Sequence, residues 1–265
     1  DTWHEDVRLF AMVDSETGEE IGHFYLDLFP REGKFSHAAE FPLVPSRRLE
    51  DGSYQNPMCA MVANFTKPTK EAPSLLQHGE VETLFHEFGH VLHQNLGRTE
   101  TARFSGTNVE RDFVEAPSQI MEHWVWRADV LQRFARHHET GEPIPQELVD
   151  QLVAAKNLNK GIFQLRQMQY GWWDQELHAG PDRDLDDIYV RGSEVALIPP
   201  HEGTFALASF GHLFGYDAGY YGYMWAEVFG DDMFSRFEAE GVTNPAVGID
   251  YRRRVLEKGG SADPN

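Results

Sequence analysis

The sequence predicts an α+β fold, predominantly helical, with a small N-terminal β-sheet followed by helices. Three observations predict it. Apolar and aromatic runs broken by turn residues fill the first 65 positions, in the manner of strands. From about residue 77 the apolar spacing turns helical. Strands gathered ahead of helices, rather than alternating with them, indicate segregated elements instead of a parallel α/β sheet. The 265 residues suffice for one large domain with its own core, and no repeat or linker divides them. Hydrophobic residues at 41% and charged residues at 25% exclude wholesale disorder.

Taken in order, residues 7–13 and 21–28 form a hairpin around the turn segment 14–20. Residues 30–57, with Pro30, Pro42, Pro45 and Pro57, read as a long loop. Residues 59–65 are a third strand, ended by Lys67-Pro68. A helix is expected over 77–96, stopped by Gly97. A second runs from near 112–117 to about 137, a third over 146–157 after Pro145, and a fourth over 159–178, stopped by Gly180-Pro181. Residues 192–204 read as loop, 217–229 and 231–240 as helical, and the tail from Gly259 as polar and frayed.

With 23 Lys and Arg against 43 Asp and Glu, the formal charge is −20. That excludes the basic surface of a general nucleic-acid binder and the polybasic face of a membrane-surface protein. No run of 18 apolar residues exists to span a bilayer. Neither nucleic acid nor membrane is therefore an expected partner, and the oligomeric state stays open, a monomer included. Cys59 is the single cysteine, so no internal disulfide can form. The opening residues are polar and lack the order of a signal peptide, so a cytoplasmic location is expected. Cys59 lies in an apolar strand and reads as a core residue rather than a nucleophile.

The chemistry concentrates in His86-Glu87-Phe88-Gly89-His90. Two histidines four residues apart on a helix point the same way and can reach one metal ion. At about 100° per residue, Val81, Leu84, Phe85, Phe88, Val91, Leu92 and Leu96 gather on one face, with His86 and His90 nearly opposite. The apolar face can dock in a core while the histidines face a cleft. Neutral imidazoles suit Zn2+, and a catalytic zinc takes three protein ligands plus water. Glu87 projects beside the ligand face, where it can take a proton from the zinc-bound water as general base. Gly89 costs about 1 kcal/mol relative to Ala inside a helix, which a close approach by another element would explain.

The third ligand must come from elsewhere. Glu115, 25 residues after His90 and at the start of the next helix, can be brought there by one helical hairpin. The alternative is local, because Asp112 and Glu115 are spaced as a capping box. His93 shares the ligand face but reads as a neighbour of the ligands or a solvated residue. Glu82, one turn before His86, is a candidate to orient a ligand imidazole, and Glu122 a weaker one. The segment 211–223 combines His212, four glycines and four tyrosines. It reads either as a glycine loop leading into a core helix, or as a loop whose His and Tyr side chains donate hydrogen bonds to an oxyanion.

These residues sit in text that resembles the thimet oligopeptidase and neurolysin family of zinc metallopeptidases, which includes bacterial oligopeptidase A. The matching stretches include Met61-Val62-Ala63-Asn64-Phe65-Thr66-Lys67-Pro68, Thr83-Leu84-Phe85-His86-Glu87-Phe88-Gly89-His90, Asp112-Phe113-Val114-Glu115-Ala116-Pro117-Ser118-Gln119 and Tyr220-Tyr221-Gly222-Tyr223. The resemblance implies a zincin-like catalytic domain over 1–265 and a zinc-dependent endopeptidase acting on short peptides. It implies His86, His90 and Glu115 as ligands of one Zn2+ and Glu87 as general base. It places His212 and Tyr223 at the tetrahedral intermediate and Tyr220 near the substrate. It also implies that the strand 60–65 is a sheet edge that pairs with substrate. The sequence departs from the family pattern in one residue too few between His212 and Tyr216, with the single Gly215 there. It departs again in length, since family members are more than twice as long. The competing expectation is a zinc-binding fragment that needs a missing N-terminal half.

Overall fold

The computed structural model describes residues 1–201 and 203–264. Strand β1 (Arg8–Val13) and strand β2 (Glu20–Asp27) form the expected antiparallel hairpin. Its turn is fixed by the Asp14 carboxylate, which accepts from the Glu16 and Thr17 amides at 2.9 and 3.1 Å, and by Gly18 at φ 75°.

The segment 30–57 is not all loop. It holds β3 (Ala39–Val44) and a two-residue pair, β4 (Arg47–Arg48) with β5 (Tyr54–Gln55). The main sheet has the order β1-β2-β6-β3, with β6 (Met58–Val62) parallel to β2 and antiparallel to β3. β3 is an edge strand, which is why it tolerates Pro42, and its register slips just after that residue. β6 is therefore interior, and the expectation that it is the sheet edge is corrected. Its run Cys59, Ala60, Met61 is buried, as for a strand with both faces covered.

Helix α1 (His78–Leu96) packs on the sheet. Glu80 closes its first turn, accepting from the Gln77 and Thr66 amides, both at 2.8 Å. Its apolar face splits between two clusters. Leu84, Phe88 and Val91 pack on Phe24, Met61 and Phe65, and Leu92 and Leu96 pack on Ile21 and Leu256. Gly97 ends the helix but at φ −57°, so its role is steric: a Cβ would lie 2.8 Å from the Gly106 amide nitrogen.

The single helix expected over 112–137 is three pieces. These are α2 (Ala116–Glu122), a 3₁₀ turn (His123–Trp126) and α3 (Ala128–Phe134), with extended backbone at Arg127. A straight helix would set Ile120 and Val130 about 15 Å apart along its axis. The bend lets both enter one cluster with Phe234 and Phe237. α4 (Gln146–Ala155) and α5 (Lys160–His178) follow as expected. α6 (Leu185–Val195) takes the first part of the expected 192–204 loop, capped by the Asp184 carboxylate. The two helical stretches after 217 are one helix, α7 (Gly222–Glu240). Gly230, between those stretches, is not a break but the place where α7 meets α2; a Cβ there would lie 3.4 Å from the Ile120 nitrogen. α8 (Pro245–Arg254) and a 3₁₀ segment (Leu256–Ser261) complete the fold. The tail is not frayed: Leu256 and Gly259 are buried, and Gly259 packs on the Phe104 carbonyl. The whole is a mixed α+β fold, mostly helical, with the sheet first, as in zincin metallopeptidases. Among the described residues no helix is long and apolar enough to cross a membrane.

Candidate active site and metal centre

His86 and His90 project from one face of α1, their rings 5.1 Å apart. Both Nε2 atoms converge on Glu115 Oε2, at 3.2 and 3.1 Å. Glu115 sits at the entry to α2, and its side chain makes no capping bond there. The capping alternative is thereby set aside. Ser118 Oγ donates to the same Oε2 at 3.1 Å and fixes the carboxylate. Gly89 is what lets the two helices meet. A Cβ there would lie 2.6 Å from Ser118 Cα and against the Pro117 carbonyl.

The two histidines and Glu115 offer three ligand atoms within 4.8 Å of one another. The cluster is positioned to chelate a single zinc ion. The donor chemistry fits: His86 Nδ1 is held by Glu122 Oε1 at 2.6 Å, which leaves Nε2 facing the cluster. Glu82, the stronger candidate for that role by helix phase, instead accepts from Trp126 Nε1 at 2.8 Å. Burial disfavours a charged His86, but Glu115 and Glu122 outweigh it and raise its pKa well above the usual imidazole value. Burial likewise opposes ionised Glu115, and His90 and His86 overcome that and hold it well below the usual carboxylate range.

Glu87 is buried beside these ligands, and its Oε2 has no hydrogen-bond partner among the described residues. Burial raises its pKa, with His86 and His90 pulling the other way. Near it lies a second carboxyl that the sequence gives no sign of, Glu40 of β3. Burial pushes Glu40 up to about 7. The β3–β6 pairing is what brings it there.

Tyr223 lies in the first turn of α7, and its hydroxyl is 3.4 Å from His212 Nε2. The Tyr220 ring is 4.9 Å from the His212 ring, while its hydroxyl donates to Gln167 Oε1 at 2.8 Å. The short loop therefore keeps His212 against both tyrosines. Two contacts hold this segment, one of them from a residue that the sequence does not single out, Asp174. Asp174 of α5, fully buried, accepts from the Ala218 and Tyr220 amides, each at 2.9 Å. Tyr216 stacks on Tyr223 at 5.1 Å and points its hydroxyl at Glu115. Burial, then Glu115, raises the Tyr223 pKa, so the phenol stays a donor. Burial lowers that of His212.

His93 neither touches a ligand nor meets solvent. It is fully buried with both ring nitrogens unpartnered among the described residues, and burial pushes it down to about 3. Cys59 is a core residue, fully buried and receiving a hydrogen bond from Asn95 Nδ2 at 3.1 Å.

Comparison with known proteins agrees with this geometry. The family model described as peptidase family M3 matches residues 1–265. The chain is 48% identical to thimet-like oligopeptidase of Dictyostelium discoideum over 98% of its own length and 40% of that protein's. It is 46% identical to oligopeptidase A of Escherichia coli, covering 100% of itself and 40% of the relative. It is 41% identical to saccharolysin of Saccharomyces cerevisiae, covering 99% and 38%. It thus spans about 40% of the length of these curated relatives. On its metal-ligand geometry, its match along the whole chain and these identities, the chain belongs to peptidase family M3.

Proposed function

We propose that residues 1–265 form the catalytic domain of a zinc-dependent endopeptidase that hydrolyses short peptides, and that they work as part of a longer protein in the cytoplasm. The observation that carries the reading is the convergence of His86, His90 and Glu115 beside a buried carboxyl, Glu87, one of whose oxygens has no hydrogen-bond partner among the described residues. The oligopeptidase names of the relatives support the short-peptide substrate. The single, buried cysteine suits a reducing compartment.

His86, His90 and Glu115 would hold Zn2+, which when bound polarises a carbonyl and makes water acidic enough to attack near neutral pH. Glu87 accepts the proton of the attacking water and delivers it to the leaving amine. Its raised pKa suits it to both halves of that transfer. Tyr223 donates its phenolic proton as a hydrogen bond to the developing oxyanion, with His212 beside it. Tyr220 lines the substrate cleft. The free edge of β3, rather than β6, is the strand available to pair with substrate backbone.

The test is direct. The purified chain is assayed for zinc per mole and incubated with a short fluorogenic peptide, with and without chelator. One zinc per chain and chelator-sensitive cleavage support the reading, and cleavage unaffected by chelator overturns it. A second reading is favoured by one observation. The chain is 40% of its relatives' length and leaves Phe205, Phe214 and Leu197 about four-fifths exposed. On that reading the chain binds zinc but needs a further segment for turnover, and zinc without cleavage is its signature.

A further inference from the structure

Two clefts meet at His212 and Tyr220, which line both. The first, about 420 Å³, contains His86 and carries Glu82, Glu122, Glu227 and Asp231 against Lys156 and Lys160. The second, about 1140 Å³, is walled by Tyr170, Trp173, Tyr189 and Phe210 and reaches Ala38 and Ala39 at the start of β3. None of the described residues lining the second cleft is Asp or Glu. In a chain with 43 acidic residues against 23 basic ones, that is a marked gap in the negative surface.

Arg166 of α5 fills the gap. Its Nε donates to the Tyr170 hydroxyl at 3.0 Å, and its guanidinium lies 5.5 Å from the Tyr170 ring centroid. The Tyr170 ring is in turn 5.4 Å from that of Tyr220. Among the described residues Arg166 has no ion pair, so its two terminal nitrogens keep their donors for a ligand. A planar cation on an aromatic wall suits a carboxylate attached to an apolar body.

We propose that the second cleft takes the C-terminal end of the peptide, with Arg166 bonding its free α-carboxylate, while the N-terminal part lies in the carboxylate-bearing cleft. This deepens the peptidase reading and rests on it. A free peptide carries its positive charge at one end and its negative charge at the other, and the two clefts are complementary to that polarity. Antiparallel strand addition to β3 is compatible with that direction. A segment paired antiparallel to β3 has its C-terminal residues beside Ala39, the first residue of the strand.

The experiment uses the zinc-loaded chain and one short peptide in three forms: free acid, C-terminal amide, and amide ending in glutamate. Cleavage kinetics and fluorescence anisotropy are both read, so binding is measured whether or not turnover occurs. Loss of one charge-assisted hydrogen bond at this exposed arginine is expected to raise KM and Kd about tenfold for the amide, with kcat within about twofold. Arg166→Gln should bring the acid's values to within about twofold of the amide's, and Arg166→Lys should keep most of the difference. Tighter, Arg166-dependent binding of the acid without any cleavage would uphold the cleft and favour the reading in which turnover needs a further segment. Equal binding of acid and amide, with or without cleavage, overturns the inference. So does full recovery by the glutamate amide, which would assign Arg166 to a side chain instead.

Discussion

Replacing Glu122 by Gln tests the electrostatics of the metal centre at a residue that is not itself a ligand. The change keeps shape and removes charge from a contact of 2.6 Å to His86 Nδ1. Loss of such a partner typically costs about 10- to 100-fold in metal affinity. The Glu122 side chain is 34% exposed, so water screens it and the lower figure applies. The expected loss is about tenfold in zinc affinity, or about 1.4 kcal/mol. Competition against a chromophoric zinc chelator near neutral pH reads it, with Glu82→Gln as the contrast. Glu82 bonds Trp126 rather than a histidine, so its variant should bind zinc as the parent does. A Glu122→Gln protein with unchanged affinity, or a greater loss in Glu82→Gln, would show that Glu122 does not tune the metal centre.

Three further outcomes follow from the same geometry. Gly89→Ala drives a methyl group into the backbone of α2 and should cost about 1–3 kcal/mol in a urea melt, with a matching fall in zinc affinity; stability within about 0.5 kcal/mol would contradict it. Zinc uptake near neutral pH should release about one proton, because metal-free His86 titrates above its ordinary value and must lose its proton to bind. Calorimetry in two buffers of different ionisation heat measures this, and a zero slope would count against it. His93 is neutral in the fold and titrates at about 3, so between its ordinary value of 6.5 and that pH the unfolded chain binds the extra proton. Its contribution to stability is whole above 6.5 and falls with acid, by about 2 kcal/mol near pH 5. His93→Leu, which breaks no hydrogen bond among the described residues, should remove that part of the pH dependence, and parallel losses in both proteins would sink the argument.

Helix α1 is legible in the sequence because everything that defines it is local: apolar spacing, paired histidines and a terminating glycine. Gly89 announces a close approach, and α2 provides it. What stays hidden depends on distances between elements. β3 reads as loop because prolines mark loops, yet an edge strand accepts Pro42 on its open side. Glu115 reads as a ligand with a local cap as its alternative, and the alternative falls only when α1 and α2 are placed together. Helix phase favours Glu82 over Glu122, since a single-helix projection cannot show that α2 brings Glu122 onto His86. Gly192 and Gly230 read as loop or break, whereas both are packing positions. The Trp173 indole lies on Gly192, with Cε2 2.8 Å from where a Cβ would be. Asp174 and Glu40 reach the site only through the packing of α5 and the pairing of β3, and no local motif marks either.

In the proposed mechanism Glu87 moves the proton at a zinc site built from His86, His90 and Glu115. The most direct measurement is peptide turnover by zinc-replete Glu87→Gln, with metal content determined on the same sample. The expected result is zinc content equal to the parent's with turnover reduced about 100-fold or more. Zinc retained together with cleavage near the parental rate would contradict it.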